Sequence, residues 1–82
     1  MRVVTRDDAL RAFHNEINIC KEDLERTESE ALRLRLMALS NPIIFDGRLD
    51  ELRIHKIVVE ERLRALERSR DRLVEIMMEE CL

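Results

Sequence analysis

The sequence predicts an all-α fold, an antiparallel hairpin of two long helices with coiled-coil-like seams. Charged residues make up 40% of the 82-residue chain, which has one Gly, one Pro and no Trp or Tyr. This composition is typical of long helices and coiled coils. Apolar side chains also recur in steps of three and four residues along both halves of the chain, which places a narrow apolar seam on each helix. Because a seam needs a partner, we expect the two helices to pack lengthwise and to assemble into a four-helix bundle or a larger helical oligomer.

The first helix is predicted over about residues 6–39. Thr5 is a good N-cap, and Asp8 stands at the third helical position, where it can complete a capping box. Only one member of the seam on this helix, Thr27, is polar. The seam comprises Leu10, Phe13, Ile17, Cys20, Leu24, Thr27, Ala31, Leu34 and Ala38.

A bend is predicted over residues 40–47, which hold the only Pro and the only Gly of the chain. Pro42 disfavours the helical conformation at Asn41. The second helix then follows over about residues 48–80, and the whole chain, 1–82, is expected to form a single domain. In the seam of the second helix, two positions are charged, Lys56 and Arg70. The apolar members of that seam are Leu52, Val59, Leu63, Leu66, Leu73 and Met77.

The distribution of charge predicts a register for the hairpin. If the bend centres near residue 44, residues that face each other have numbers that add to about 88. The acidic segment 16–28 would then face the arginine-rich segment 62–72. An alternative interpretation is that these arginines bind nucleic acid or another phosphate ligand, because guanidinium groups suit phosphate contacts. The five arginines are Arg62, Arg64, Arg68, Arg70 and Arg72.

Apolar residues are concentrated around the bend, and this concentration is the main functional indication. Between residues 31 and 59, 16 of 29 positions are apolar, against 8 of 25 in residues 6–30. A hairpin buries one face of each helix, so we expect the surplus to meet another chain. A second copy of the chain is the expected first partner, as a homodimer or higher oligomer, and another protein the next. The predicted partner surface comprises Leu32, Leu36, Leu39, Ile43, Ile44, Phe45, Ile54, Ile57 and Val58.

Other features make several function classes less favoured. The net charge is −3, which gives no global attraction to DNA or anionic lipid. The basic residues near the bend (Arg33, Arg35, Arg48, Arg53 and Lys56) are accompanied by acids and predict a solvated face of mixed charge.

Catalysis is not expected either. No nucleophile with an adjacent base and no cluster of acids is apparent in the sequence. The two histidines, His14 and His55, would lie about 30 Å apart in the hairpin and so could not share a metal ion. We therefore expect no enzymatic activity, cofactor or metal.

The compartment is expected to be a reducing one. Two cysteines that the hairpin keeps apart fit such an environment. The sequence also shows no signal peptide or membrane span. We therefore expect a small cytoplasmic interaction or regulatory protein.

Overall fold

The computed structural model describes the backbone of residues 5–80 and the side chains of residues 5–41 and 46–80. Two α-helices, α1 (Arg6–Ala38) and α2 (Pro42–Glu80), pack against each other along their length, and this described part contains no strand. Arg6 near the start of α1 pairs with Glu80 at the end of α2, so the helices are antiparallel. The predicted all-α hairpin is confirmed, and the molecule is 61 Å long and 15 Å thick.

The start of α1 is fixed by the capping box that the sequence predicts. Thr5 has an extended backbone (φ −84°, ψ 165°), and its hydroxyl accepts a hydrogen bond from the Asp8 amide at 3.1 Å. In return, the Asp8 carboxylate accepts one from the Thr5 amide at 3.3 Å. Two backbone donors that the first helical turn would otherwise leave unpaired are thereby satisfied.

The bend is shorter than predicted, and the expected start of the second helix near residue 48 is wrong. The first helix ends at Ala38, and α2 begins at Pro42. Proline fits the first turn of a helix because an amide proton has no intrahelical acceptor there, so Pro42 starts the helix instead of prolonging the bend. Gly47 lies inside α2 and has no positive φ angle, so it does not form a turn.

The core is a single row of side chains between the two helices. Every predicted member of both seams is buried or half-buried. Leu49 extends the seam of α2 by one step toward the bend, where Leu34, Leu49 and Leu52 form the main buried cluster. No described side chain is completely enclosed, and the best protected, Ile17, is 3% exposed. A single row of side chains of this kind leaves the outer faces of both helices open.

The register differs from the predicted one by between two and ten residues, which is up to about three helical turns. Polar contacts between the helices join residues whose numbers add to 78 in three cases, the ion pairs Glu30–Arg48 and Glu16–Arg62 and the Asp23–His55 hydrogen bond. Glu28–Lys56 adds to 84 and Arg6–Glu80 to 86. The predicted value of about 88 is too high because the bend centres near residue 40 and not near 44. The acidic segment therefore faces residues nearer to the bend than the segment 62–72.

Candidate interaction surfaces

Six of the predicted partner-surface residues have described side chains, and all six are exposed. Leu39 is the most open at 82%, and the other five are between 57% and 63% exposed. Such values are high for large apolar side chains that lie close together. The side chains of Ile43, Ile44 and Phe45 lie outside the described residues. The six are Leu32, Leu36, Leu39, Ile54, Ile57 and Val58.

These six side chains do not share one face of the hairpin. Leu36 is two positions from buried Leu34, and Ile54 is two positions from buried Leu52. Residues two apart on a helix point to opposite sides, so Leu36 and Ile54 lie on the outer faces of their helices, away from the core. The apolar surface therefore extends around the bend-proximal end of the hairpin.

A shallow groove runs between the helices on one side of the bend-proximal end, and we call it the basic groove. Ala31, Leu49 and Leu52 form its apolar floor, and Arg35, Arg53 and Lys56 stand on its two rims. Leu39 follows the lining residue Arg35 by four positions, which places it on the same side. The complete lining is Thr27, Glu28, Ala31, Arg35, Leu49, Leu52, Arg53 and Lys56.

A second groove on the other side of the hairpin has a different character, and we call it the mixed-charge groove. Arg48 spans its two helices, with Nη2 2.8 Å from Glu30 Oε1 and Nη1 3.1 Å from Glu51 Oε2. The hydrogen bonds to Glu30 and then to Glu51 raise the pKa of Arg48 above its usual value. His55 Nε2 lies 3.1 Å from each carboxylate oxygen of Asp23. Its lining is Asp23, Arg26, Thr27, Glu30, Arg48, Glu51, Leu52 and His55.

The two grooves differ in net charge. Among its lining residues the basic groove has one acid, Glu28, and three bases, which gives a net charge of +2. The mixed-charge groove has three acids and two arginines, which gives −1 with His55 neutral. The sequence predicts one solvated face of mixed charge for all the basic residues near the bend. The helix periodicity instead divides them, with Arg48 on one side and Arg35, Arg53 and Lys56 on the other.

The five arginines of segment 62–72 do not line a single strip. Arg62 pairs with Glu16 across the hairpin, at the end of the acidic segment farthest from the bend. Arg64 pairs with Glu60 and Glu61, Arg70 with Asp71, and Arg72 with Glu75, all within α2. Arg68 has no ion pair in the described part of the chain. Arg64, Arg68 and Arg72 stand four positions apart and share one side of the helix, whereas Arg62 and Arg70 project from other sides.

The remaining polar and reactive side chains are separated from one another. Cys20 is buried in the seam of α1, and buried Thr27 donates its hydroxyl hydrogen to the Asp23 carbonyl oxygen at 2.8 Å. Among the described residues, no three His, Cys, Asp or Glu side chains are placed to hold a metal ion.

Neither described helix has a stretch that is both long enough and apolar enough to span a membrane. Comparison with protein-family models, with curated protein sequences and with solved structures finds no match to this chain.

Proposed function

We propose that this chain is a non-catalytic protein–protein interaction module that assembles with itself through the apolar surface near its bend. The observation that carries the proposal is the exposure of six large apolar side chains within about six helical turns of one another, at 57% to 82% each. Covering an apolar side chain of this size contributes about 1.5–3 kcal/mol when burial is complete. A surface with six of them is therefore a strong candidate for an interface.

Self-association is favoured because the hairpin alone has a thin core. Its buried residues form one row, and no described side chain is completely enclosed. Domains this small usually need a further source of stability, such as oligomerisation, metal binding or disulfides. Among the described residues there is no metal cluster, and the one described cysteine is free. A second copy would supply a second layer and form a four-helix bundle or a larger oligomer.

An interaction role also fits the arrangement of the reactive groups. His55 is engaged with Asp23 on one side of the hairpin, whereas Cys20 is enclosed in the seam. No nucleophile and base are paired by the hydrogen bonds of the described residues. Within this class, the chain would act as an adaptor, an inhibitor or an assembly factor.

The mass of the protein in solution tests the proposal. We expect light scattering to give at least twice the chain mass of 9.8 kDa, in low and in high salt, with reductant present. Leu36→Glu combined with Ile54→Glu should leave the helical content unchanged and lower the mass to that of one chain. Ile19→Glu is the matched control because Ile19 is 54% exposed on α1 but far from the bend. A wild-type monomer over a wide concentration range, or an equal effect of Ile19→Glu, would contradict the proposal.

Phosphate binding through the arginines of segment 62–72 is the weaker alternative. Four of these five arginines already pair with a carboxylate, which reduces the charge they offer to a phosphate. A short DNA duplex titrated at 50 and 200 mM salt separates the two functions, since phosphate contacts weaken steeply over that range, by about 10³–10⁵-fold for six to ten contacts. We expect no binding that depends on these arginines.

A further inference from the structure

Leu36 is the centre of an apolar patch on the outer face of α1, and the rim of this patch is basic. On a helix, the neighbours of a residue stand three and four positions away. For Leu36 these neighbours are Leu32, Arg33, Leu39 and Ser40, and all five side chains are exposed. Arg33 has no ion pair in the described part of the chain. We call Leu32, Arg33, Leu36 and Leu39 the α1 patch.

Ile54 is the centre of a similar apolar patch on the outer face of α2, but the rim of this patch is acidic. Its neighbours at three and four positions are Asp50, Glu51, Ile57 and Val58. The three apolar side chains are between 60% and 63% exposed, and each of the two carboxylate side chains is 68% exposed. We call these five residues the α2 patch.

The carboxylates of the α2 patch are accessible to a further base, although each has a partner on its own helix. Asp50 pairs with Arg53 and Glu51 with Arg48, both at 3.1 Å. Arg53 lines the basic groove and Arg48 the mixed-charge groove, so these two bases lie toward the sides of the hairpin. Exposed pairs of this kind are weak, and the carboxylates can therefore be shared with a base that approaches the outer face.

The charges of the two rims determine which patches can meet. Two α1 patches laid together would bring two Arg33 side chains close to each other, and two α2 patches would bring four carboxylates together. Like charges across an interface repel, whereas an α1 patch laid on an α2 patch places Arg33 near Asp50 and Glu51. This combination also supplies three large apolar side chains from each side of the contact.

We propose that copies of this chain associate head to tail, with the α1 patch of one copy packed on the α2 patch of the next. This contact rests on the proposed self-association and specifies the surfaces that form it. Leu36 and Ile54 lie on the outer faces of different helices, so the two patches face in opposite directions. A pair of copies therefore keeps one free patch at each end, and association continues beyond two copies, as a ring if the rotation between copies closes and as a filament if it does not.

Two complementary variants test this geometry by light scattering. Leu36→Glu blocks only the α1 patch, and Ile54→Glu blocks only the α2 patch. Alone, each variant should have the mass of one chain, 9.8 kDa, whereas the wild type at high concentration should exceed the mass of two chains. An equal mixture of the two variants should form a complex of two chains and nothing larger, because the intact α2 patch of the first variant meets the intact α1 patch of the second.

Ile19→Glu is the control for the mixing experiment, because Ile19 is exposed on α1 but belongs to neither patch. This variant should keep the mass of the wild type. Circular dichroism should show equal helicity in all three variants, since each substitution is at an exposed position.

A charge reversal tests the rims. Arg33→Glu should raise the concentration needed for association by roughly fivefold at low salt, and by less at high salt. Adding Glu51→Arg to the same chain should restore association, because opposite charges then face each other again across the contact. Arg11→Glu is the matched control, since Arg11 is also exposed on α1 but about 30 Å from Leu32 along the helix.

A contact between two identical patches would give a different pattern of masses. Either Leu36→Glu or Ile54→Glu would then keep the mass of the wild type, or the mixture would stay at the mass of one chain. Any of these results from a self-associating wild type, or a wild-type mass that stops at two chains, would reject the head-to-tail contact and leave the proposed self-association standing. Equal effects of Arg33→Glu and Arg11→Glu would also overturn the proposal, whereas a monomeric wild type would reject both the contact and the proposed function.

Discussion

Two substitutions at positions two residues apart on α2 distinguish a free hairpin from an assembled one. Leu52 is 5% exposed and packs with Leu34 and Leu49, whereas Ile54 is 63% exposed. Truncating a buried Leu to Ala costs about 2–5 kcal/mol in the free energy of unfolding. Because the core is one row deep, we expect Leu52→Ala to cost about 2–3 kcal/mol, in the lower half of that range.

The cost of Ile54→Ala depends on whether a second copy covers the side chain. On a lone hairpin, a substitution at such an exposed position changes stability by no more than about 0.5 kcal/mol. If a second copy covers the exposed three fifths of a side chain whose full burial contributes about 1.5–3 kcal/mol, the cost becomes about 1–2 kcal/mol per chain. We expect the larger cost. Ile19→Ala, at a position 54% exposed but distant from the bend, should be neutral.

Urea unfolding at protein concentrations tenfold or more apart is the measurement, because the stability of an oligomer depends on concentration and that of a monomer does not. The wild-type midpoint should rise with concentration, and Ile54→Ala should reduce that rise. Neutral behaviour of Ile54→Ala at every concentration would refute the argument that a second copy covers this face. A cost below 1 kcal/mol for Leu52→Ala would refute the assignment of the core itself.

Three further substitutions test local features. Gly47→Ala should raise the free energy of unfolding, measured with urea, by about 0.5–1 kcal/mol, because Gly47 is helical and a Cβ there meets nothing within 4 Å. A loss of stability would show instead that residue 47 is not helical. Thr5→Ala should lower the free energy of unfolding by about 1 kcal/mol and increase amide hydrogen exchange in the first turn of α1, since it removes the N-cap. Unchanged exchange in that turn would contradict the capping box. Arg48→Gln should lower the melting temperature only slightly, because its pairs with Glu30 and Glu51 are exposed, and a large loss of thermal stability would mean that these pairs are shielded from solvent in the assembly.

The seams were predictable from the sequence because burial between two helices requires apolar side chains at regular intervals of three and four residues. Each of the nine seam positions predicted on α1, from Leu10 to Ala38, is buried or half-buried in the structure. The spacing also identified Thr27 as a seam residue in spite of its hydroxyl. The structure explains why it is tolerated, since that hydroxyl is satisfied by the Asp23 carbonyl oxygen of its own helix. Thr27 therefore has no need of a partner on α2.

The bend was harder to predict because Pro and Gly are compatible with more than one local structure. A proline ends a helix that precedes it, but it is also favoured in the first turn of a helix. The sequence around Pro42 predicts the first effect, whereas the structure shows the second. The sequence also favours a place for Gly47 in the bend, although a glycine inside a helix is unfavourable by only about 1 kcal/mol. Misplacing the bend by about four residues also hid Leu49, which belongs to the main cluster of the core.

The error in register shows what the charges of this chain determine and what they leave open. In the observed register the acids of segment 16–28 contact His55, Lys56 and Arg62 on α2. Of these, Arg62 is a predicted partner, whereas the other predicted partners Arg64, Arg70 and Arg72 pair within their own helix. With acids and bases spread along both helices, several registers give similar numbers of exposed pairs, each worth only about 0.2–1 kcal/mol. The short bend and the row of buried apolar side chains therefore select the register. The charges are instead a consequence of that register. It places Arg35, Arg53 and Lys56 on one side of the hairpin and Arg48 on the other, so the residues that line the two grooves have net charges of opposite sign.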